Sequence, residues 1–498
     1  MPLVPAPAPG GLPLLGHAPR MLHRRLAFLE SLRELGPAAT VRLGRETVTV
    51  LSDHRLVRDV LAARAADFGL SSHFRVMKRI IGNGLLATDG PFHRDQRRAL
   101  LPPLRQSRLP SYAETMSELT ERHLAGLADA RQPVDTDRML MALATENATR
   151  CLFSSGIGAH QVARVAEAVP VVMAWAGSRG MDPTGLLTRL PGPVSPLNRR
   201  FRHSMAALNT VVGDLIAARG DGACGDGACG DGACGDGACG DGACGDLLDA
   251  MLCAADSGPG ARMSRRQVHD EAMSFLIAST ESVSRTLTWA LHLLARNPGA
   301  RRALHAEADA VLAGRTARWD DLPRLTYTRG VLSEALRLYP PGYLISRTAV
   351  RDTAVHAEGL GELPLRAGSM VMFSYYALQR DPKLFPEPAA FRPERWTGGP
   401  VPPVAGPALR AYLPFGLGPH GCPGESFAWT EMTLVLASLA ARWELRPVRE
   451  GPLCAVAAFS LGFDDARMTA LPRVRDAAAP PPSVPSPRAI PVTHPTGK

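Results

Sequence analysis

The stretch best equipped for chemistry is Phe415-Gly416-Leu417-Gly418-Pro419-His420-Gly421-Cys422-Pro423-Gly424, followed by a largely apolar run from Glu425 to Leu445. Gly416, Gly418 and Gly421 let the backbone turn sharply and bring its N–H groups close to whatever Cys422 binds. Pro423 and Gly424 precede a helix-periodic run (Ala428, Met432, Val435, Leu439). The sulfur is therefore expected at a helix N-terminus, where the dipole favours a thiolate. A thiolate so placed is a metal ligand; the bland alternative is a glycine-rich turn with a buried cysteine. With 14 Phe, 47 Gly and 9 Cys in 498 residues, Phe-x-x-Gly-x-x-x-Cys-x-Gly arises by chance about 0.002 times, which disfavours the bland reading.

At these residues the chain resembles the cytochrome P450 superfamily, the haem-thiolate monooxygenases. The resemblance implies haem b with Cys422 as its single axial ligand, Phe415 against the ring and His420 as a donor to a propionate. It implies two further propionate contacts. His93 and Arg97, in His93-Arg94-Asp95-Gln96-Arg97-Arg98, are i,i+4 on one helix face, and Arg contacts of this kind suit a carboxylate. Without the loop downstream, the same pair would read as a solvated basic face. Arg347, in the strand-like Tyr343-Leu344-Ile345-Ser346-Arg347, is the second propionate contact implied.

The resemblance also implies that the longest element faces that haem. Ser264-Arg265-Arg266-Gln267 is a capping box, and a helical pattern runs from it to Arg296, where Asn297-Pro298 stops it. Its centre, Phe275-Leu276-Ile277-Ala278-Ser279-Thr280-Glu281-Ser282-Val283-Ser284, sets a carboxylate and four hydroxyls inside an apolar helix. Buried polar groups need partners or a task. One reading has the hydroxyls bonding back to their own i−4 carbonyls and bending the helix. In the resembled family an acid and a Thr here relay protons to oxygen; Glu281 is then the catalytic acid, and Ser282 replaces the Thr without the methyl that fixes its rotamer. Ser279 likewise stands where the family has Gly.

Glu334-Ala335-Leu336-Arg337 ends a helix before Pro340-Pro341, and Phe391-Arg392-Pro393-Glu394-Arg395-Trp396 follows downstream. Glu-x-x-Arg alone carries little information, since such pairs decorate many helices. In the family this order is fixed, and Glu334, Arg337 and Arg395 form a buried charge knot that holds the haem-side core. The resemblance also nominates an apolar substrate pocket of Phe74, Met77, Ile277, Leu344, Ile345 and Phe459, with Phe68 to Gly90 as a loop covering the substrate and Phe459-Ser460-Leu461-Gly462 as a turn entering the pocket.

Net charge is +9 and the pI about 9.3, but no Arg-rich recognition helix or aromatic-interleaved basic strip supports nucleic acid as a partner. Lys occurs only at Lys78, Lys383 and Lys498; with abundant Ala, Gly and Pro this points to GC-rich coding and an actinobacterial source. Met1 to Gly16 lacks a charged region followed by an apolar one, and no run of 18 or more apolar residues occurs, so neither secretion nor a membrane span is expected and the location read is cytoplasmic. Five of the nine cysteines belong to five copies of Gly-Asp-Gly-Ala-Cys from Gly220 to Cys244. That tract reads as a loop lengthened by repeat expansion, with a metal-binding tract as the alternative.

The fold class expected is mainly α with small β-sheets: a single-domain cytochrome P450 fold with haem between the long central helix and the Cys422 loop. A Pro/Gly-rich leader (1–18) precedes the domain (19–475), which carries the repeat loop (220–246); a Pro-rich tail (476–498) is expected to be disordered. Thr40 to Leu51 signals a β-hairpin, and residues 112 to 215 read as helices interrupted at Gly177 to Gly180 and at Pro191 to Pro196. The function implied is insertion of one oxygen atom from O2 into an apolar small molecule, a terpene of secondary metabolism, with electrons from an external ferredoxin and reductase. Two alternatives remain: a peroxide-using or isomerising haem-thiolate enzyme, and a non-catalytic haem-binding protein.

Overall fold

A computed structural model describes residues 2–129, 132–180, 196–219, 245–255, 263–398, 404–451 and 453–473. The Pro-rich break expected before Pro196, the repeat and the tail lie outside them. The architecture is mainly helical with small sheets, the fold class expected from the sequence.

The organising element is the helix Arg265–Arg296, about 48 Å long at the standard rise, with Ser264 Oγ accepting the Gln267 amide at 3.2 Å. Only half of the expected capping box forms. The Gln267 side chain turns away from the cap and donates to Asn83 O at 2.7 Å, with Gln96 and Glu271 within reach. Because apolar residues surround this helix on most faces, it is buried along most of its length. It packs against Thr136–Leu152, Leu247–Ala255, Thr326–Leu338 and Glu425–Arg442, which share its core.

A six-stranded sheet lies beside this helical body. Its spatial order is Ala6–Pro7, Ala38–Leu43, Glu46–Leu51, Met370–Ser374, Leu344–Ala349 and Phe68–Leu70. The hairpin expected near Thr40 is present with Leu43 opposite Glu46, and Gly44 takes the left-handed turn position at φ +62°. Part of the leader is knitted into the domain, since Ala6 and Pro7 pair in parallel with Ala39 and Thr40. Two smaller apolar clusters cover the sheet's faces.

The interruption expected over Gly177 to Gly180 does not begin at its first residue. The helix Ala159–Gly180 continues through Gly177, because that glycine answers a packing demand and not a turn. A Cβ there would stand 2.5 Å from the Phe459 backbone nitrogen. Phe459 belongs to the tip of a hairpin made by Ala455–Ala457 and Leu461–Phe463.

Candidate active site

The loop before Glu425–Arg442 is closed by its own backbone, with Cys422 N–H donating to Phe415 O at 2.8 Å and Gly421 N–H to Gly418 O at 2.9 Å. Gly416 and Gly418 adopt φ +75° and +72°, where side-chain-bearing residues are strained. Gly418 is further constrained, since a Cβ would lie 1.9 Å from Leu61 O. Gly421, at φ −61°, does not use left-handed freedom.

Cys422 has accessible surface, yet it lies deep among protein atoms. Burial, with Glu425 adding to it, pushes its thiol up to about 11 against the opposing Gly424 N–H and Arg97. Desolvation and the Glu425 carboxylate thus act against the anionic form that the Gly424 N–H and Arg97 favour. A cationic metal is the partner that would hold the thiolate.

His93 and Arg97 share a face of Gly90–Leu100 as their spacing requires. The Arg97 guanidinium donates to Gly421 O at 2.8 Å, one residue before the sulfur. The buried His93 ring lies 4.1 Å from that of His420, whose Nε2 is 3.0 Å from Asp89 Oδ1. Burial and the neighbouring His420 and Arg97 charges push His93 down to about 4. Arg347 is buried; its Nη1 donates to Ser346 O at 3.1 Å, and Asp89 and Tyr375 are its electrostatic neighbours. Four nitrogen-bearing side chains thus converge beside an accessible thiol, with Asp89 the carboxylate among them. This donor set fits a metal macrocycle that carries acidic substituents. Asp89 and the buried Tyr375 were missed by sequence reasoning; the first lies just before the expected helix, and the second has no local signal.

The long helix presents its accessible surface at mid-length. Ala278 is exposed and Ser282, one turn on, half-buried. Ser279, Thr280 and Ser282 hydroxyls donate to Phe275, Leu276 and Ala278 carbonyls at 2.7 to 2.9 Å, and Ser284 to Glu281 O at 3.0 Å. The back-bonded arrangement is thus the one present. The Glu281 carboxylate turns elsewhere: Oε1 accepts from Ser460 Oγ at 2.7 Å and lies 3.9 Å from Arg285 Nε.

The charge knot assembles fully. Glu334 and Arg337 are both without exposed surface and pair through two bonds of 2.8 Å. Glu334 also accepts from Arg395 Nε at 3.2 Å, Trp396 Nε1 at 2.9 Å and the Arg392 amide at 3.1 Å. Arg337 spends its remaining donors on the Gln379, Pro388 and Ala390 carbonyls.

The nominated pocket residues do not form one surface. Phe74 and Phe459 meet edge to face at 5.7 Å. Met77 has no exposed surface and Ile277 is buried with it in the main core. Leu344 and Ile345, adjacent in a strand, point to opposite faces and pack on different clusters. Among the described residues no helix is long and apolar enough to cross a membrane.

The sequence pattern of the cytochrome P450 family matches residues 5–459. Cyclooctatin synthase of Streptomyces melanosporofaciens is 40% identical over 446 residues, covering 89% of this chain and 90% of that protein. Cyclooctat-9-en-7-ol 5-monooxygenase of the same organism is 35% identical, covering 89% of each. Pentalenene oxygenase of Streptomyces avermitilis is 32% identical, covering 88% of this chain and 90% of that protein.

Proposed function

This chain belongs to the cytochrome P450 family, a haem-thiolate monooxygenase, and from that premise we propose that its substrate is a terpene and that Cys422 is the axial thiolate. In the reaction one substrate C–H bond, one O2, two electrons and two protons give one alcohol and one water. Haem, held by Cys422, would supply the O2 chemistry when bound.

The protein's residues do the rest. Arg97, Arg347, His93 and His420 hold the propionates, and Arg97 also braces the ligand loop through Gly421. Phe415 packs on the ring face. Glu281 carries the proton, and the Ala278–Ser282 turn lines the reaction space. Phe74 and Phe459 contact the apolar substrate; Met77 and Ile277 support that surface from the core. The residues form one domain that includes the leader strand. Electrons come from a separate ferredoxin and its reductase in the cytoplasm, where the +9 chain attracts an acidic carrier.

The observation that carries this reading is the accessible yet deeply set Cys422 with Arg97 bonded one residue away. The terpene assignment is supported by relatives named for cyclooctat-9-en-7-ol and pentalenene. The decisive test is the absorption spectrum of the reduced protein with carbon monoxide beside Cys422→His. A strongly red-shifted Soret band in the wild type alone supports thiolate ligation. Turnover of pentalenene and cyclooctat-9-en-7-ol with ferredoxin, reductase and O2 then tests the substrate. Because Glu281 and Ser282 bond to different partners, a peroxide-driven reaction is the second reading; product formation from peroxide but not from reductase and O2 would select it.

A further inference from the structure

The Glu281 carboxylate is tied to a hairpin far away in sequence. Ala458, Phe459 and Ser460 form the three-residue tip between Ala457 and Leu461. The tip is pinned at several points: Arg25 Nη1 donates to Ala457 O at 2.7 Å, Tyr343 Oη to Ala458 O at 2.9 Å, and Leu461 N–H to Pro341 O at 2.9 Å. Phe459, in the tip, meets Phe74 edge to face across 5.7 Å. One residue on, Ser460 Oγ donates to Glu281 Oε1 at 2.7 Å.

One charged neighbour of Glu281 also touches this hairpin. Arg285, one turn along the same helix, lies 3.9 Å from Glu281 Oε1 and 3.2 Å from Asp137 Oδ2 on Thr136–Leu152. Its guanidinium sits 4.7 Å over the Phe463 ring, and a Cβ on Gly462 would meet its Nη1 at 3.2 Å. The tip residues themselves thus reach Glu281 through Ser460, whereas Arg285 meets the strand beyond the tip, at Gly462 and Phe463, and pairs with Asp137.

We infer that Ser460 is a positioning residue: it holds Glu281 against the hairpin while the pocket is empty, and a ligand that displaces Phe459 breaks the Ser460–Glu281 bond and frees the acid. This rests on the reading of Glu281 as the proton carrier. A carboxylate that loses a hydroxyl donor becomes easier to protonate, so pocket filling and Glu281 titration are linked.

The experiment follows the carboxylic-acid C=O infrared band of Glu281 in the haem-loaded full chain, assigned by its loss in Glu281→Gln. The band is titrated with and without clotrimazole, an apolar azole whose nitrogen coordinates haem iron. In the wild type, clotrimazole is expected to raise the midpoint by roughly one to two pH units. In Ser460→Ala the midpoint should already be raised without ligand and move no further, while Ser460→Thr should restore the wild-type shift. A merely structural Ser460 would lower thermal stability and leave the midpoint in place. Equal ligand-free midpoints in wild type and Ser460→Ala overturn the inference, as does a wild-type midpoint that clotrimazole leaves unmoved despite a nitrogen-ligated haem spectrum. Failure of the haem reading is recognised separately, by absence of that spectrum; the ligand-free comparison of wild type with Ser460→Ala still decides whether Ser460 holds the acid.

Discussion

Gly177 and Phe459 approach so closely that a Cβ on the glycine would stand 2.5 Å from the phenylalanine's backbone nitrogen. This contact seats the hairpin tip against the helix Ala159–Gly180 and so sets where Phe459 meets Phe74. In Gly177→Ala the hairpin backbone must move, at a cost of about 1 to 3 kcal/mol. A lowered thermal midpoint with the haem spectrum retained, and weakened binding of apolar ligands, is the outcome expected from unfolding and spectral titrations.

Gly418→Ala meets two obstacles, a positive φ of +72° and a Cβ 1.9 Å from Leu61 O. The loop must then unwind near Cys422. Haem content per protein should fall severalfold, and the red-shifted carbon monoxide band should shrink in proportion; full retention of both would show that the loop tolerates the change.

Arg97→Ala removes the bond to Gly421 O and the cation proposed to hold a haem propionate. A charge-assisted hydrogen bond contributes about 1.5 to 3 kcal/mol. Haem transfer to an acceptor apoprotein should accordingly accelerate by roughly ten- to a hundredfold, with the Cys422 spectral signature intact in the fraction still loaded.

Glu334→Ala leaves Arg337 and Arg395 buried without their carboxylate and strips Trp396 of its acceptor. Orphaning buried charges in this way costs about 3 to 5 kcal/mol. Denaturant unfolding should show that loss, whereas Glu334→Asp, too short to span all the partners, should fall between.

Glu431 supplies a pH dependence. Its carboxyl is buried and pushed up to about 8, with the Asn147 amide donating to it at 2.7 Å. Its second oxygen and Asn147 Oδ1 lack donors, a shortage that the protonated acid relieves. Because the folded value lies above the unfolded one, the stabilisation is complete below about pH 4.5 and is lost as pH rises through 8. Glu431→Gln, which carries its own donors at every pH, should flatten the fall in unfolding free energy between pH 5 and 8 and be the more stable protein above pH 8.

Much of the site was legible because its parts are local. The Cys422 loop, the i,i+4 pair His93 and Arg97, the Ser264 cap and the Glu334–Arg337 pair each occupy a few neighbouring residues whose spacing states their geometry. What escaped reading was long-range. Asp89 joins His420 across the fold, Trp396 completes the Glu334 knot, and Gly177, which looked like a helix breaker, is a contact for a hairpin far down the chain. Leu344 and Ile345 looked equivalent in sequence but face different clusters, since a strand alternates its faces.

The sequence by itself carried the resemblance to the family, with the mainly helical fold class that it implies, and nominated Cys422 and the order of the motifs around it. These follow from covalent spacing, turn-forming glycines and helical periodicity, which act over a few residues. Only the tertiary structure decided which way Glu281 points and what surrounds Cys422. The carboxylate's partner, Ser460, is far along the chain, and the Cys422 thiol responds to the desolvation and charge of everything packed around it. Both are properties of the folded volume, where packing brings together groups that no local pattern links.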